Sequence, residues 1–302
     1  MNGRTPHIVQ YQGSKRLLAP TILKSMPNRF NRLIEPFSGM AAITIATATE
    51  NRAENYHIND LNVPLVEVLR KAINEPECLL NKYTNVWNEQ FSYEKGHVEH
   101  FYYVREKFNE GNQTEENMLY LLARCVKGAV RYDRNGKFNQ SPDKRRHGTN
   151  PRNLEKNIFK ISKLLKNKTT FSAVDYQVIL DEAQPGDLVY MDPPYQGTSG
   201  GSDTRYISGL GYDEFTKAIH SLDKKGVDYI ISYDGICGDK EYGLSLPSYL
   251  NCSKTLINAG LSSQSTLLGR KDITLESLYV SDSLKDQLSN INEQISLLEY
   301  AL

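Results

Sequence analysis

The sequence predicts an α/β protein, a doubly wound and mostly parallel sheet interrupted by a polar, mainly helical insertion. Three observations carry this. Residues 32–60 run as a short apolar segment, a glycine turn, an Ala/Thr/Ile-rich segment and a second apolar segment ending in an acid, the opening unit of such a sheet. Residues 187–191 read as a strand whose last four residues, Leu188-Val189-Tyr190-Met191, are apolar and lead directly into Asp192-Pro193-Pro194-Tyr195. Between them, residues 72–151 abandon the α/β rhythm and become polar and aromatic.

In chain order, Gln12-Gly13-Ser14-Lys15 reads as a turn that leads into a helical pattern over 17–23. Residues 32–37 read as a buried strand closed by Ser38-Gly39, and 41–49 as a helix. Residues 55–60 read as a second strand ending in Asp60, and 63–73 as a second helix. Within the insertion, 116–127 has a helical pattern. Arg134-Asn135-Gly136-Lys137 has the Asn-Gly signature of a hairpin turn. The α/β rhythm then returns, with a helix over 154–165, strands over 169–174 and 187–191, a helix over 215–222 and an apolar strand over 227–233. The last strands fall at 254–257 and 277–280. These readings divide the chain into a catalytic domain made of 1–71 and 152–302, and an inserted domain made of 72–151.

Composition narrows the class. The 302 residues are 39% hydrophobic and 24% charged, which suits a soluble globular fold. No apolar run reaches the roughly 20 residues of a membrane helix. The N-terminus has no signal-peptide pattern, so a cytoplasmic protein is expected. Cys78, Cys125, Cys237 and Cys252 lack CxxC spacing, which favours free thiols over a disulfide framework or a zinc site. Net charge is zero, but its distribution is uneven. Residues 1–34 hold six Lys/Arg and no acid, and residues 127–152 hold eight Lys/Arg against Asp133 and Asp143. Basic islands on a neutral chain suit a phosphate backbone if they share one face. At the tail, Leu284, Leu288, Ile291, Ile295, Leu298 and Leu302 make an amphipathic stripe. It is expected to pack on its own domain, with a homodimer contact through this C-terminal helix as the alternative.

Two segments carry chemistry. In Asp192-Pro193-Pro194-Tyr195, the paired prolines remove two N–H donors and leave carbonyl oxygens free to accept, and the aspartate adds a second acceptor. Two acceptors can draw the N–H bonds of a ring-conjugated amine out of plane and localise its lone pair, while Tyr195 offers a stacking face. In Glu35-Pro36-Phe37-Ser38-Gly39, the glycine lets backbone approach a ligand. Asp60 follows at roughly the 20-residue offset of a ribose-binding acid.

Taken in order, Tyr11-Gln12-Gly13-Ser14-Lys15, Glu35-Pro36-Phe37-Ser38-Gly39, Asn59-Asp60, the basic segment and Asp192-Pro193-Pro194-Tyr195 resemble the Dam-type, α-group (D12 class) DNA adenine-N6 methyltransferases. Tyr206 with Phe215, Ile231-Ser232-Tyr233-Asp234 and Glu276-Ser277-Leu278-Tyr279 are smaller echoes. The resemblance implies a Rossmann-like class I S-adenosylmethionine-dependent methyltransferase sheet. It also implies an inserted DNA-recognition domain with a β-hairpin, double-stranded DNA as partner, and no metal. Its implied cofactor residues are Tyr11, Lys15 (near the cofactor's carboxylate), Glu35, Phe37, Ser38, Gly39, Asp60 (on the ribose), Asp175 (at the adenine end) and Asp192. Asp192, Pro193, Pro194 and Tyr195 are the implied catalytic set. In the basic segment, Lys127, Arg131, Tyr132, Arg134, Asn135, Lys137 and Asn139 resemble the recognition hairpin. Arg131 is placed to read a guanine edge, and Lys144, Arg145 and Arg146 to grip phosphates. The Gly-rich residues 197–203 are expected to close over a flipped adenine.

This chain departs from the family pattern at three positions. Ala41 replaces the second motif glycine, Tyr11 replaces a common tryptophan, and Ser14 a common glycine. A shifted but working cofactor pocket is expected. Competing readings are cytosine-N4 methylation, where Ser more often replaces the Asp, protein-glutamine methylation, where Asn does, and a non-catalytic nucleic-acid-binding homologue. The Asp192 identity favours adenine.

Overall fold

The computed structural model describes residues 5–194, 211–237, 240–261 and 273–288. Tyr195, Tyr206, the 197–203 segment and Ile291, Ile295, Leu298 and Leu302 of the C-terminal stripe lie outside them. The first two stripe residues, Leu284 and Leu288, are buried.

Seven strands form one path in the order β3-β2-β1-β4-β5-β8-β7. They are β1 (Phe30–Glu35), β2 (Ala53–Asn59), β3 (Thr169–Ser172), β4 (Asp187–Met191), β5 (Asp228–Cys237), β7 (Cys252–Leu261) and β8 (Ile273–Ser281), while the short β6 (Lys240–Tyr242) pairs only with β5. β1 to β5 are mutually parallel, and β8 runs antiparallel to β5 and β7. The order reverses between β1 and β4, so a crevice opens at the carboxyl ends of those strands.

Every residue of β4 is buried, as the apolar run without alternation requires of a strand covered on both faces. The period of two is visible in what each face touches. Leu33, Leu188, Tyr190 and Ile230 join a core shared with α1 (Ala19–Lys24), α2 (Ala42–Thr49), α3 (Val63–Asn74) and α7 (Pro151–Leu165). Ile34, Val189, Met191, Tyr229 and Ile231 face α8 (Tyr176–Asp181) and α9 (Tyr212–Lys225) on the other side. Helix starts follow their caps: Asn62 accepts from Leu65 N at 3.3 Å ahead of α3, and Asn150 accepts from Arg152 N at 3.0 Å ahead of α7.

Between α3 and α7 lie three further helices, α4 (Pro76–Ser92), α5 (His97–Asn109) and α6 (Glu115–Arg124). The sequence pattern resolved only the last, because the buried faces of α4 and α5 mix apolar residues with Tyr83, Gln90 and His100 rather than forming a clean apolar stripe. They share the continuous core of the α3/α7 layer through Leu79, Tyr83, Phe101 and Met118. The 116–127 helix ends earlier than its pattern, at Arg124. A 3₁₀ turn, Val126–Gly128, takes over with Lys127 at φ 62°, because the Gly128 backbone packs directly on Gln10 and accepts from Gln12 N at 3.0 Å.

The expected hairpin forms as a tight reversal with isolated antiparallel bridges, Tyr132 to Phe138 and Cys125 to Pro142, rather than a ladder. Asp133 stabilises the turn by accepting from Asn135 N at 2.8 Å and Lys137 N at 3.0 Å. Phe138 is buried between Phe108 and Tyr132. Polar side chains of the helices pin the rest of the basic segment by its backbone. Tyr83 Oη donates to Thr149 O at 2.6 Å, Gln90 Nε2 to His147 O at 3.2 Å and Arg105 Nη1 to Gln140 O at 3.1 Å. The fully buried Arg124 donates to Asp143 O and His97 O, both at 3.1 Å. Among the described residues no helix is long and apolar enough to cross a membrane, and Cys78, Cys125 and Cys252 are free.

Tyr83→Phe removes the only side-chain donor found for Thr149 O among the described residues. The expected loss is about 1–3 kcal/mol, read as a lower urea midpoint. An unchanged midpoint would count against the pinning.

Candidate active site

Four parallel strands deliver their last residues to one crevice. β1 ends on Glu35, which is 3% exposed, and its Oε2 accepts from Thr44 N at 3.0 Å and Thr44 Oγ1 at 2.6 Å. Thr44 lies in the first turn of α2, whose N-cap, Ala41, has no side chain that can accept. Glu35 therefore caps α2 from outside the helix, satisfying a donor that would otherwise be orphaned. Burial pushes its carboxyl up to about 8 against the lowering effect of the Thr44 bonds, so it is largely neutral at pH 7. Ala41 itself sits at φ 52°, a left-handed conformation that glycine adopts more readily than alanine. Gly39 has φ 50°, and a Cβ there would lie 2.9 Å from Tyr11 Cε1, which explains why no side chain is tolerated beneath that ring.

β2 ends on Asn59, fully buried, which ties three strand ends together. Its Nδ2 donates to Pro36 O at 2.9 Å and Val174 O at 3.0 Å, and its Oδ1 accepts from Ser172 Oγ at 2.7 Å and Val174 N at 3.1 Å. The next residue, Asp60, accepts from Gly39 N through Oδ2 and Asn62 N through Oδ1, each at 2.9 Å. Burial raises the Asp60 carboxyl above its ordinary range, and those two N–H bonds oppose the rise. Beyond β3, which stops at Ser172 rather than 174, Asp175 caps an additional helix, α8, by accepting from Gln177 N at 2.9 Å.

β4 ends on Asp192. Lys15 Nζ donates to its Oδ1 at 2.7 Å and lies 2.8 Å from Glu276 Oε1 on β8. The three side chains are 9%, 20% and 10% exposed for Lys15, Asp192 and Glu276, a buried cluster of one ammonium and two carboxylates. Burial pushes Asp192 up to about 6; Lys15 pulls it down and Glu276 pushes it further up.

All nine residues expected at the cofactor line a single cavity of about 380 Å³: Tyr11, Lys15, Glu35, Phe37, Ser38, Gly39, Asp60, Asp175 and Asp192, joined by Pro193 and Pro194. That volume falls within the roughly 300–1,000 Å³ of small-molecule sites. Lys15 belongs to the cavity, yet its ammonium is engaged by Asp192 and Glu276. The Phe37 and Tyr176 rings lie 5.2 Å apart, tilted by 34°, and form an aromatic side to the cavity. Tyr132, expected with the DNA residues, stands instead in the cavity wall with Val130, its hydroxyl donating to Asn62 Oδ1 at 3.2 Å. Lys127, Arg131, Arg134, Asn135, Lys137, Asn139, Lys144, Arg145 and Arg146 are exposed. The sequence reading missed the structural weight of Asn59 and the place of Glu276. Both sit in motif stretches, but neither stretch signals a partner so far away in the chain.

The chain matches, over residues 11–258, the model of the D12 class of N6 adenine-specific DNA methyltransferases. It belongs to that class. It is 28% identical over 237 residues to the type II methyltransferase M1.LlaDCHI of Lactococcus lactis subsp. cremoris, covering 74% of this chain and 79% of that one. It is 29% identical over 205 residues to the retron Ec67 DNA adenine methylase of Escherichia coli, covering 65% of this chain and 66% of that one. The DNA adenine methylase of Serratia marcescens is 26% identical over 190 residues, covering 62% and 66%. A SAM-dependent methyltransferase structure from Agrobacterium tumefaciens superposes with a TM-score of 0.38 at 8% identity, covering 88% of this chain and 61% of that one, too loosely to argue from.

The cofactor of D12 methyltransferases is S-adenosylmethionine, and the cavity fits it on three counts. Ser38 Oγ is buried without a hydrogen-bond partner among the described residues and lines the cavity, a polar atom waiting for a ligand. Asp60 lies at the strand end with acceptor capacity left on both oxygens. The Phe37/Tyr176 pair offers flat apolar surface to a purine.

Gly39→Ala would set a Cβ against the Tyr11 ring and add left-handed strain of about 1–2 kcal/mol. Cofactor affinity by calorimetry is expected to fall roughly tenfold, with Tyr11→Ala in the same chain relieving the clash. Wild-type affinity in Gly39→Ala would show that the close packing is dispensable.

Proposed function

We propose that this D12 methyltransferase methylates the N6 amine of an adenine flipped out of double-stranded DNA, with Asp192 and the Pro193 carbonyl as acceptors for that amine. The observation that carries the reading is Asp192: held at the end of β4 by Lys15, it borders the same cavity as all the expected cofactor residues. Bound in that cavity, S-adenosylmethionine supplies a methyl group on a sulfonium, already activated for transfer. Asp60 takes the ribose, Ser38 and the Gly39 backbone the loop side, Phe37 and Asp175 the adenine end.

Asp192, ionised, and the Pro193 carbonyl accept the two amine N–H bonds. This draws density from the ring back to nitrogen and localises the lone pair. Proline at 193 and 194 leaves no backbone N–H to compete for the amine or to disturb this arrangement. Tyr195 follows directly and supplies the stacking face in this reading. Residues 72–151 act as the recognition domain: Arg131 reads a base edge from the reversal held by Asp133 and Phe138, while Lys144, Arg145 and Arg146 grip phosphates.

Because the amine must meet a carboxylate, activity should rise with pH through the ionisation of Asp192 at about 6 and fall about tenfold per unit below it. The profile of kcat/KM for S-adenosylmethionine measures this. Asp192→Asn should abolish tritium transfer to DNA of defined sequence while retaining part of the cofactor affinity. Full turnover by that variant would sink the assignment.

Replacing Lys144, Arg145 and Arg146 together by Ala should weaken binding to all duplexes alike. The slope of log affinity against log salt should flatten by about 0.9 for each phosphate no longer neutralised. Arg131→Ala should instead narrow the gap between cognate and non-cognate DNA by about 1–3 kcal/mol. Equal effects of the two variants on sequence preference would contradict this division of labour.

A further inference from the structure

We propose that Glu276 is a positioning residue of the methyl-transfer site, acting through Lys15 to fix Asp192 and to hold the site at a net charge of −1. This rests on Asp192 being the amine acceptor, as proposed above.

Lys15 Nζ lies between Asp192 Oδ1 at 2.7 Å and Glu276 Oε1 at 2.8 Å, with all three side chains largely out of solvent. One ammonium would suffice to pair one carboxylate. A second carboxylate at nearly equal distance is costly to desolvate, and its repulsion of Asp192 makes the arrangement worse for folding alone. The extra charge has a use in the reaction. Positive charge develops on N6 as the new C–N bond forms and the methyl carbon's bond to sulfur breaks, with the surplus N6 proton then passing to Asp192. A buried cluster at −1 is complementary to that charge, whereas a neutral Lys–Asp pair is not. Geometry adds a second effect. A lysine bonded to Asp192 alone could follow the flexible carboxylate, but one also held by β8 keeps Oδ1 directed and leaves Oδ2 for the amine.

Among the described residues, four charged or titratable groups from the surrounding elements bear on Asp192. Lys15, from the turn before α1, favours its ionised form, and Glu276 on β8 opposes it. Glu35, at the end of β1, feels the Asp192 charge but is itself largely neutral at pH 7. Tyr190, on β4 two residues earlier, is held well above the usual phenol range by burial and is hydrogen-bonded to Ser232 Oγ at 2.9 Å, so it stays neutral. The balance therefore lies between Lys15 and Glu276.

The two partners predict opposite movements of one observable. Glu276→Gln removes a like charge, so the acid limb of kcat/KM should move to lower pH, while kcat at pH 8 falls roughly tenfold or more as the site becomes neutral. Lys15→Met removes the attraction, so the limb should move to higher pH. Glu276→Asp keeps the charge and should leave the limb closer to wild type than Glu276→Gln does. Thermal unfolding and binding of the cofactor product, S-adenosylhomocysteine, establish that each variant is folded. If Glu276→Gln is not, Glu276→Ala replaces it as the charge-removing variant and must show the same movement of the limb to lower pH, an unmoved limb there overturning the role of Glu276. A uniform loss of rate with an unmoved limb would overturn the role of Glu276, and so would movement in the same direction for Glu276→Gln and Lys15→Met. Asp192→Asn run alongside separates the two ideas. Full activity there defeats the acceptor reading itself, whereas an inactive Asp192→Asn with an unmoved Glu276→Gln limb defeats only the role of Glu276.

Discussion

One buried ammonium organises the centre of this protein. Lys15 comes from a turn near the N-terminus, Asp192 from the end of a central parallel strand and Glu276 from an antiparallel strand near the other edge. Leaving any of the three charges unpaired in that environment would cost far more than a surface ion pair returns. The N-terminal segment is therefore obliged to lie across the strand ends, and its neighbours follow. Tyr11 comes to rest over Gly39, and Gln12 bonds to Gly128 of the basic segment.

Several acids that look like ligand contacts in sequence serve first as scaffold. Glu35 caps α2 in place of Ala41, Asp60 holds the Gly39 and Asn62 amides, and Asp175 starts α8. The reason is general: loops at the carboxyl edge of a parallel sheet end strands and begin helices, so they carry unpaired backbone N–H groups that need acceptors. A carboxylate that satisfies one of these still has lone pairs to turn toward a ligand. Scaffold and binding are thus the same residues here, and a substitution at Asp60 would affect both.

The basic segment is built in a complementary way. The helices α4 to α6 contribute donors to its backbone carbonyls, and its cations are left pointing away from the core. Its inner residues, Val130 and Tyr132, reach the cavity beside Asp60 and Asn62. The basic segment is therefore continuous with the cavity wall through Val130 and Tyr132.

The sequence by itself determined the parallel sheet, because β4 from Leu188 onward is apolar without alternation and β1 and β2 end in a glycine turn and an acid. It placed the start of α3 and came within a few residues for the other helices it read, because among the described α-helices only α3, α7 and α8 are capped by the side chain of their own N-cap residue. The residues expected at the cavity came from the resemblance of the ordered motifs; Glu35, Asp60 and Asp192 reach it at strand ends, whereas Tyr11 and Lys15 arrive from the N-terminal turn. The local patterns of the sequence left other things open. The helices α4 and α5 were hidden because their buried faces mix apolar residues with Tyr83, Gln90 and His100. The hairpin keeps isolated bridges, Tyr132 to Phe138 and Cys125 to Pro142, rather than a ladder. The pairing of Lys15 with Asp192, 177 positions away, and with Glu276 beyond it, was decided by tertiary structure alone. Local propensity reaches only a few residues, whereas a buried charge chooses its partners from whatever the folded sheet brings within about 3 Å.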